Sequence, residues 1–351
     1  MNRREFVAAG AALAAGAVGR AAAEPPAAPP SGLGMLLYSY GIRARAERAA
    51  GFAEPAKFLE FCRSRGAAGV QLPLGVRTEA EAAAIRRAAD RVGMTVEGIV
   101  RPPGSDREAE RFAAELATAK ACGAEVLRTV MLGGRRYEEF SKADDYPAFA
   151  RRAEESLRRA EPLAAKAKVT LAVENHKDFR TDELIDLLRR LSSERLGVCV
   201  DTGNNLALLE DPAATVAALA PLARTVHLKD IGLEDAPDGF RMTEVPLGRG
   251  VFDLPAMVAA LRKGNPKVRF HLEMITRDPL SIPCLTDKYW ATLERVPGRD
   301  LARTLALVRK AAGKEPLPRF TGRTPEQQAE FEDRNVRESL AFAARTRLLA
   351  V

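Results

Sequence analysis

From residue 33 onward, short apolar runs alternate with longer segments in which apolar residues recur at three- and four-residue spacing. The short runs are typical of buried strands, and the longer segments are typical of amphipathic helices. The short runs predict eight strands, at residues 33–40, 68–72, 95–100, 125–132, 169–176, 196–201, 225–229 and 268–274. The periodic segments predict helices that include residues 55–65, 79–92, 107–121, 147–167, 182–191 and 212–219.

Strands that alternate with helices favour right-handed crossover connections and a parallel sheet. Eight such units over roughly 280 residues favour a closed (β/α)8 barrel, the TIM barrel, over an open sheet. No G-x-G-x-x-G stretch follows the first predicted strand, which argues against a dinucleotide-binding domain. We therefore assign residues 32–315 to a barrel and residues 316–351 to a helical extension. The charged amphipathic helix predicted at 325–349 either packs on the barrel or joins a partner subunit in a homo-oligomer.

The first 23 residues differ from the rest of the chain. Arg3 and Arg4, with Phe6 two positions on, precede a short Ala/Gly-rich apolar run that ends in three alanines. This pattern is typical of a secretory signal, and the paired arginines resemble a twin-arginine (Tat) signal for proteins exported in the folded state. An ordinary Ala-rich helix is the alternative interpretation.

The apolar run is too short for a membrane span, so the sequence predicts no stable membrane anchor. We expect a periplasmic or otherwise extracytoplasmic protein that uses the Tat machinery, with residues 24–31 as a Pro/Ala-rich linker.

The charge balance bears on the kind of partner, and the cysteines bear on whether disulfides form. Lys and Arg number 54 against 47 for Asp and Glu, a net charge of +7, and the positive charges form no run of five or six. This distribution argues against a nucleic-acid partner. The four cysteines form no C-x-x-C pair. An oxidising compartment permits disulfides, but the apolar surroundings of Cys62, Cys122 and Cys199 favour buried free thiols.

Metal-competent side chains stand at the ends of four successive predicted strands. They are Glu174 and His176 in Val-Glu-Asn-His, Asp201 in Val-Asp-Thr-Gly-Asn, His227 in Val-His-Leu-Lys, and Glu273 in His-Leu-Glu. Lys229, two positions after His227, shares its face. Barrel active sites are built at the carboxyl ends of strands, and side chains two positions apart share a face. Three carboxylates and one imidazole suit one divalent cation: Mn²⁺, Mg²⁺, Co²⁺ or Zn²⁺. Each position taken alone also fits a salt bridge or a cap, but four consecutive strand ends with buried carboxylates would be costly without a cation.

These segments, together with Pro-Leu-Gly248-Arg249-Gly250, resemble the xylose-isomerase-like barrel superfamily over residues 33–312. The resemblance implies that Glu174, Asp201, His227 and Glu273 bind the metal. It also implies that Glu174 and Glu273 carry protons to and from opposite sides of a substrate carbon next to a carbonyl. The activity implied is that of a metal-dependent sugar isomerase or epimerase that forms an enediolate.

The remaining polar residues each have two interpretations. His176 contacts substrate or supports the site, Lys229 binds substrate or neutralises surplus carboxylate charge, and Arg249 approaches a ligand or is an exposed turn residue. Trp290 lies in a long irregular segment, 275–296, that is either a lid or wall of the pocket or a loop held down by the tryptophan. We expect His271 to be an interior histidine with its hydrogen bonds satisfied.

Asn204 stands where ketose 3-epimerases carry a histidine that contacts substrate, so a 3-epimerase activity is not carried over. A lyase or hydratase acting on a keto-sugar with the same site is the nearest alternative, and a non-catalytic sugar-binding barrel is a third. An endonuclease-IV-like phosphodiesterase would need more histidines than the three in this chain.

Overall fold

Eight parallel strands close into a barrel in a computed structural model that describes residues 31–311 and 316–350. Strands β1 to β7 follow chain order around the ring, and β10 lies between β7 and β1 and closes it. The barrel strands are β1 (Gly34–Leu36), β2 (Gly69–Pro73), β3 (Thr95–Ile99), β4 (Val126–Thr129), β5 (Thr170–Glu174), β6 (Leu196–Asp201), β7 (Ala223–Leu228) and β10 (Arg269–Leu272). The predicted TIM barrel is confirmed, and each predicted strand overlaps one barrel strand.

Helices surround the barrel, and their apolar faces form the main hydrophobic core with the outward-facing strand residues. The helices are α1 (Gly41–Ala46), α2 (Pro55–Ser64), α3 (Glu79–Val92), α4 (Ala109–Ala121), α5 (Arg136–Glu139), α6 (Asp145–Ala167), α7 (Thr181–Leu191), α8 (Pro212–Leu219), α9 (Leu254–Gly264), α10 (Asp287–Trp290), α11 (Gly298–Ala311) and α12 (Pro325–Thr346). No helix in the described part of the chain is long and apolar enough to cross a membrane.

A second, smaller sheet lies outside the barrel and was not predicted. It consists of the antiparallel hairpin β8 (Asp230–Ala236) and β9 (Gly239–Val245), with β11 (Leu280–Ile282) paired to β9. The sheet packs with α11 in a second hydrophobic cluster that includes Phe240 and Val308. Because β8 begins two residues after β7 ends, this hairpin is an elaboration of the connection after the seventh barrel strand.

The C-terminal helix α12 packs on the barrel through Val336, Leu340 and Ala343, which belong to the main core. The Glu332 carboxylate accepts hydrogen bonds from the backbone N–H groups of Ile42 (2.7 Å) and Arg43 (3.0 Å) at the start of α1. Free N–H groups at a helix N-terminus favour a carboxylate. This contact therefore ties the end of the chain to its first helix.

The structure tests the prediction for the cysteines, but it does not test the predictions for residues 1–30. All four cysteines are buried and free, as expected. The predicted signal at residues 1–23 lies outside the described residues, as does the linker except for Ser31. The Ser31 hydroxyl donates to Gly66 O (3.1 Å), so this residue already belongs to the barrel.

Candidate metal centre

The carboxyl ends of four barrel strands bring four buried side chains together. They are Glu174 at the end of β5, Asp201 at the end of β6, His227 near the end of β7, and Glu273 directly after β10. One ligand atom from each lies within 4.8 Å of those from the other three. His227 Nδ1 is 2.9 Å from Glu273 Oε2 and 3.3 Å from Glu174 Oε2. The sequence analysis grouped these four residues, and in the structure their side chains meet in one cluster.

Three atoms of this cluster are buried without a well-formed hydrogen bond: Asp201 Oδ2, His227 Nδ1 and Glu273 Oε2. Buried polar atoms in native proteins are nearly always hydrogen-bonded. The Lys229 ammonium lies near the two carboxylate oxygens, but it offers nothing to His227 Nδ1, and three such atoms that face one another need a further explanation. Carboxylate oxygens and an imidazole nitrogen are ligands for a hard or borderline divalent cation. The residues present therefore fit a single divalent metal ion, held by the four side chains.

Two polar side chains from the first half of the barrel orient His227. Its Nε2 lies 2.7 Å from Gln71 Oε1, and Gln71 Nε2 donates to Glu97 Oε2 over 3.1 Å. Because the Glu97 carboxylate fixes the amide, Gln71 presents an acceptor to the ring, and Nε2 of His227 carries a proton. Nδ1 faces the carboxylates. Burial lowers the pKa of His227, but the charges of Glu174 and Glu273 help to raise it well above its usual value, and metal ligation would displace the proton from Nδ1. Outer partners of this kind fix the tautomer and the ring orientation of a metal-binding histidine.

Glu174 is held on both oxygens. The Arg128 guanidinium from β4 donates to Oε2, and Asn204 Nδ2 donates to Oε1 over 3.0 Å. Burial alone would raise the pKa of Glu174, but the charges of Arg128 and His227 outweigh it and hold that pKa well below its usual range. The pKa of Glu273 is also low, because Lys229 and His227 outweigh the effect of burial. Both glutamates are therefore ionised at neutral pH.

Lys229 makes the ion pairs that one of its two interpretations expected. Its Nζ lies 2.8 Å from Asp201 Oδ2, 3.2 Å from Glu273 Oε2 and 3.5 Å from Glu244 Oε1. The ammonium is fully buried, yet these three carboxylates raise its pKa above the usual range of lysine. Lys229 thus balances part of the negative charge that the four ligands bring together.

His176 and His271 take different positions. The Nδ1 atom of His176 lies 3.0 Å from Leu132 O at the barrel mouth, and burial lowers its pKa to about 4, so its ring is neutral. His271 is an interior residue, as expected, and its Nδ1 is 3.2 Å from Thr225 Oγ1, but its Nε2 is buried without a hydrogen bond, so its hydrogen bonds are only partly satisfied; burial lowers its pKa to about 3. His176 therefore lies beside the cluster, whereas His271 lies deeper in the barrel.

The structure does not bring Arg249 or Trp290 to the cluster. Arg249 is 66% exposed and pairs with Glu338 of α12 at 3.0 Å. The loop turns outward there because Gly248, at φ +83°, packs its backbone against the Phe342 ring. Trp290 ends α10, and its Nε1 donates to Cys284 O (2.9 Å) at the edge of the second hydrophobic cluster. Its observed contacts are those of a residue that packs a loop.

Sequence reasoning missed several residues of the site. Gln71, Glu97 and Arg128 come from β2, β3 and β4, each as the one charged or amide side chain of its strand. A lone Gln, Glu or Arg in a predicted buried strand could have marked each of these residues as a part of the site. Glu244 on β9 and Arg277 after β10 also reach the mouth, where Arg277 Nη2 lies 2.7 Å from Glu244 Oε1. Strand β9 was not predicted, and Arg277 was not singled out within the segment 275–296, for which a wall of the pocket was one interpretation.

A family model and curated relatives both match parts of this chain. The family model described as "Xylose isomerase-like TIM barrel" matches residues 59–302. The 3-oxo-isoapionate decarboxylase of Pectobacterium atrosepticum is 25% identical over 114 residues, which are 32% of this chain and 42% of that protein. The chain thus spans less than half the length of the curated relatives it matches.

Among solved structures, a D-psicose 3-epimerase determined in the presence of D-fructose is similar, with a TM-score of 0.58 and 16% identity, covering 90% of this chain and 99% of that one. A 3-keto-D-glucoside 4-epimerase from E. coli gives a TM-score of 0.51 and 14% identity, covering 73% of this chain and 94% of that one. At these identities, the likeness shows a shared fold.

Proposed function

Because the chain belongs to the xylose isomerase-like TIM barrel family, we propose that it is a divalent-metal-dependent isomerase or epimerase of a small sugar. The observation that carries this proposal is the convergence of Glu174, Asp201, His227 and Glu273, three of which present buried atoms without a well-formed hydrogen bond. The sugar-processing proteins among its structural neighbours support a sugar substrate.

Glu174 and Glu273 are the proposed proton carriers. One carboxylate removes a proton from the carbon next to a carbonyl; the electron pair of that C–H bond forms the C=C bond of the enediolate, and the π pair of the carbonyl moves to its oxygen. The other returns a proton to carbon, and the substrate's stereochemistry decides which acts first. A bound divalent cation would stabilise the negative charge that develops on the substrate oxygens. Arg128 and Asn204 hold Glu174 in one orientation throughout.

A lyase acting on a keto-sugar is the second candidate, and the decarboxylase among the curated relatives favours it. Loss of a group next to a carbonyl passes through the same enolate, so the same side chains would serve. The products in D₂O separate the two activities. An isomerase or epimerase gives an isomer that carries solvent deuterium on carbon, whereas a lyase gives a product that has lost carbon dioxide, water or an aglycone.

The test of the proposed function is Glu273→Gln, which keeps the shape of the side chain and removes its ability to carry a proton. We expect deuterium incorporation to fall by at least about 10²-fold, the usual contribution of a positioned acid–base group, while circular dichroism shows an intact fold. Glu155→Gln on the exposed face of α6 is the matched control. EDTA should abolish the rate, and Mn²⁺ or Mg²⁺ should restore it. An unchanged rate in Glu273→Gln, or in the EDTA-treated protein, would refute the mechanism.

We also propose that the protein is exported in the folded state. Support comes from the paired arginines and the short apolar run of residues 1–23.

A further inference from the structure

A buried lysine lies beside the proposed metal centre and is not used by the mechanism. Lys177 is in the loop between β5 and α7, and its side chain is 4% exposed. Its backbone has φ +65°, in the left-handed region that lysine seldom adopts. Its carbonyl accepts a hydrogen bond from Arg136 N (3.0 Å), which helps to hold this conformation. Backbone strain of this kind persists where the surroundings enforce it, and it is concentrated at functional sites.

The Lys177 ammonium has poor charge compensation. Its Nζ donates to Asn204 Oδ1, and the same oxygen lies 3.3 Å from Lys229 Nζ. Within residues 31–311 and 316–350, no carboxylate oxygen is within 4.0 Å of Lys177 Nζ. An ammonium has three N–H donors, and two ammonium groups here share one amide oxygen. A buried cation without a carboxylate is costly, so this arrangement calls for an anion that the protein itself does not supply.

A second cation borders the same space. Arg277 is 31% exposed at the mouth, and its Nε is buried without a hydrogen bond, although Nη2 contacts Glu244. Burial and the charges of Lys229 and Arg277 together lower the pKa of Lys177 to about 8, although the more distant carboxylates of Asp201 and Glu244 act in the opposite direction. The three cationic groups are therefore near enough to repel one another, and an anion placed among them would relieve that repulsion.

We propose that Lys177, with Arg277 at the rim, binds an anionic group of the substrate, which makes the substrate a keto-sugar that carries a carboxylate or a phosphate. The inference rests on the proposed function, because it concerns the sugar that the metal centre would process. Asn204, which bonds both Lys177 and Glu174, connects the anion-binding residue to a proton carrier. Recognition of the anion would then orient the sugar at the reacting carbon.

The test measures binding to the metal-loaded protein by isothermal titration calorimetry, with matched probes. The neutral ketoses are D-fructose and D-tagatose, their carboxylate counterparts are D-fructuronate and D-tagaturonate, and D-fructose 6-phosphate is the phosphate probe. We expect at least one anionic probe to bind about 10- to 100-fold more tightly than its neutral counterpart, the range of a hydrogen bond to a charged group. The carboxylate and phosphate arms identify which anion is recognised.

Lys177→Met should remove that preference and leave the affinity for neutral ketoses within about twofold, whereas Lys263→Met on the surface of α9 should change neither. Arg277→Met should reduce the preference independently, which covers the case in which Lys177→Met fails to fold. The proposal is overturned if no anionic probe binds more tightly than its neutral counterpart, or if both variants weaken all probes equally. Deuterium incorporation, measured separately, tests the proposed function: its loss with anion preference intact would refute only the isomerase activity.

Discussion

Replacement of Gln71 by Met tests whether the proposed metal centre depends on residues outside the four candidate ligands. Methionine keeps the length and volume of the side chain but removes two buried hydrogen bonds, the 2.7 Å contact to His227 Nε2 and the 3.1 Å bond to Glu97. A buried group left without its partner costs about 1–3 kcal/mol. Loss of such an outer partner typically weakens metal binding by about 10- to 100-fold, which equals about 1.4–2.7 kcal/mol. We therefore expect weaker metal binding in Gln71→Met.

The assay is competition between the protein and a chelating dye for Mn²⁺ or Zn²⁺, together with urea unfolding of the metal-free protein. Gln328→Met is the control, because Gln328 on α12 donates only to Arg323 O near the surface. A metal affinity within twofold of the unmodified protein would refute the orienting role of Gln71. A loss of stability without a loss of affinity would show that Gln71 serves only the fold.

Two further predictions concern the ends of the chain. Burial raises the pKa of Glu332 from 4.5 to about 7, although Ile42 and Arg43 N–H groups donate to it. Between these values the folded protein holds a proton that the unfolded chain releases, so Glu332 lowers the free energy of unfolding as pH rises through this window. Glu332→Gln should flatten that slope in urea unfolding, and an equal slope in both proteins would contradict the assignment. Replacing Arg3 and Arg4 by Lys should keep the protein in the cytoplasm on cell fractionation, and unaltered export would contradict the twin-arginine prediction.

The barrel was predictable because its signals are local. The ranges of β6, α3 and α8 match their predictions residue for residue, since an apolar run or a three- and four-residue repeat defines each one. The hairpin β8–β9 was missed although its strands flank Pro237-Asp238-Gly239, a turn sequence typical of hairpins. The expectation of one strand per unit concealed it.

The convergence of the four candidate metal ligands was predictable for a related reason. Four strands that end side by side must bring their last side chains together, so position in the chain implied position in space. The residues that hold those ligands come from other strands. Whether Gln71 meets His227, or Arg128 meets Glu174, depends on side-chain lengths across the interior of the barrel, and no spacing in the chain encodes those distances.

The hairpin β8–β9 contributes Glu244 to the mouth, yet the eight-stranded ring is complete without it. Mutations elsewhere in this insertion can therefore change the shape of the mouth without breaking the hydrogen-bonded ring. If the proposed function holds, the surroundings of the substrate can vary apart from the barrel that carries the four candidate ligands.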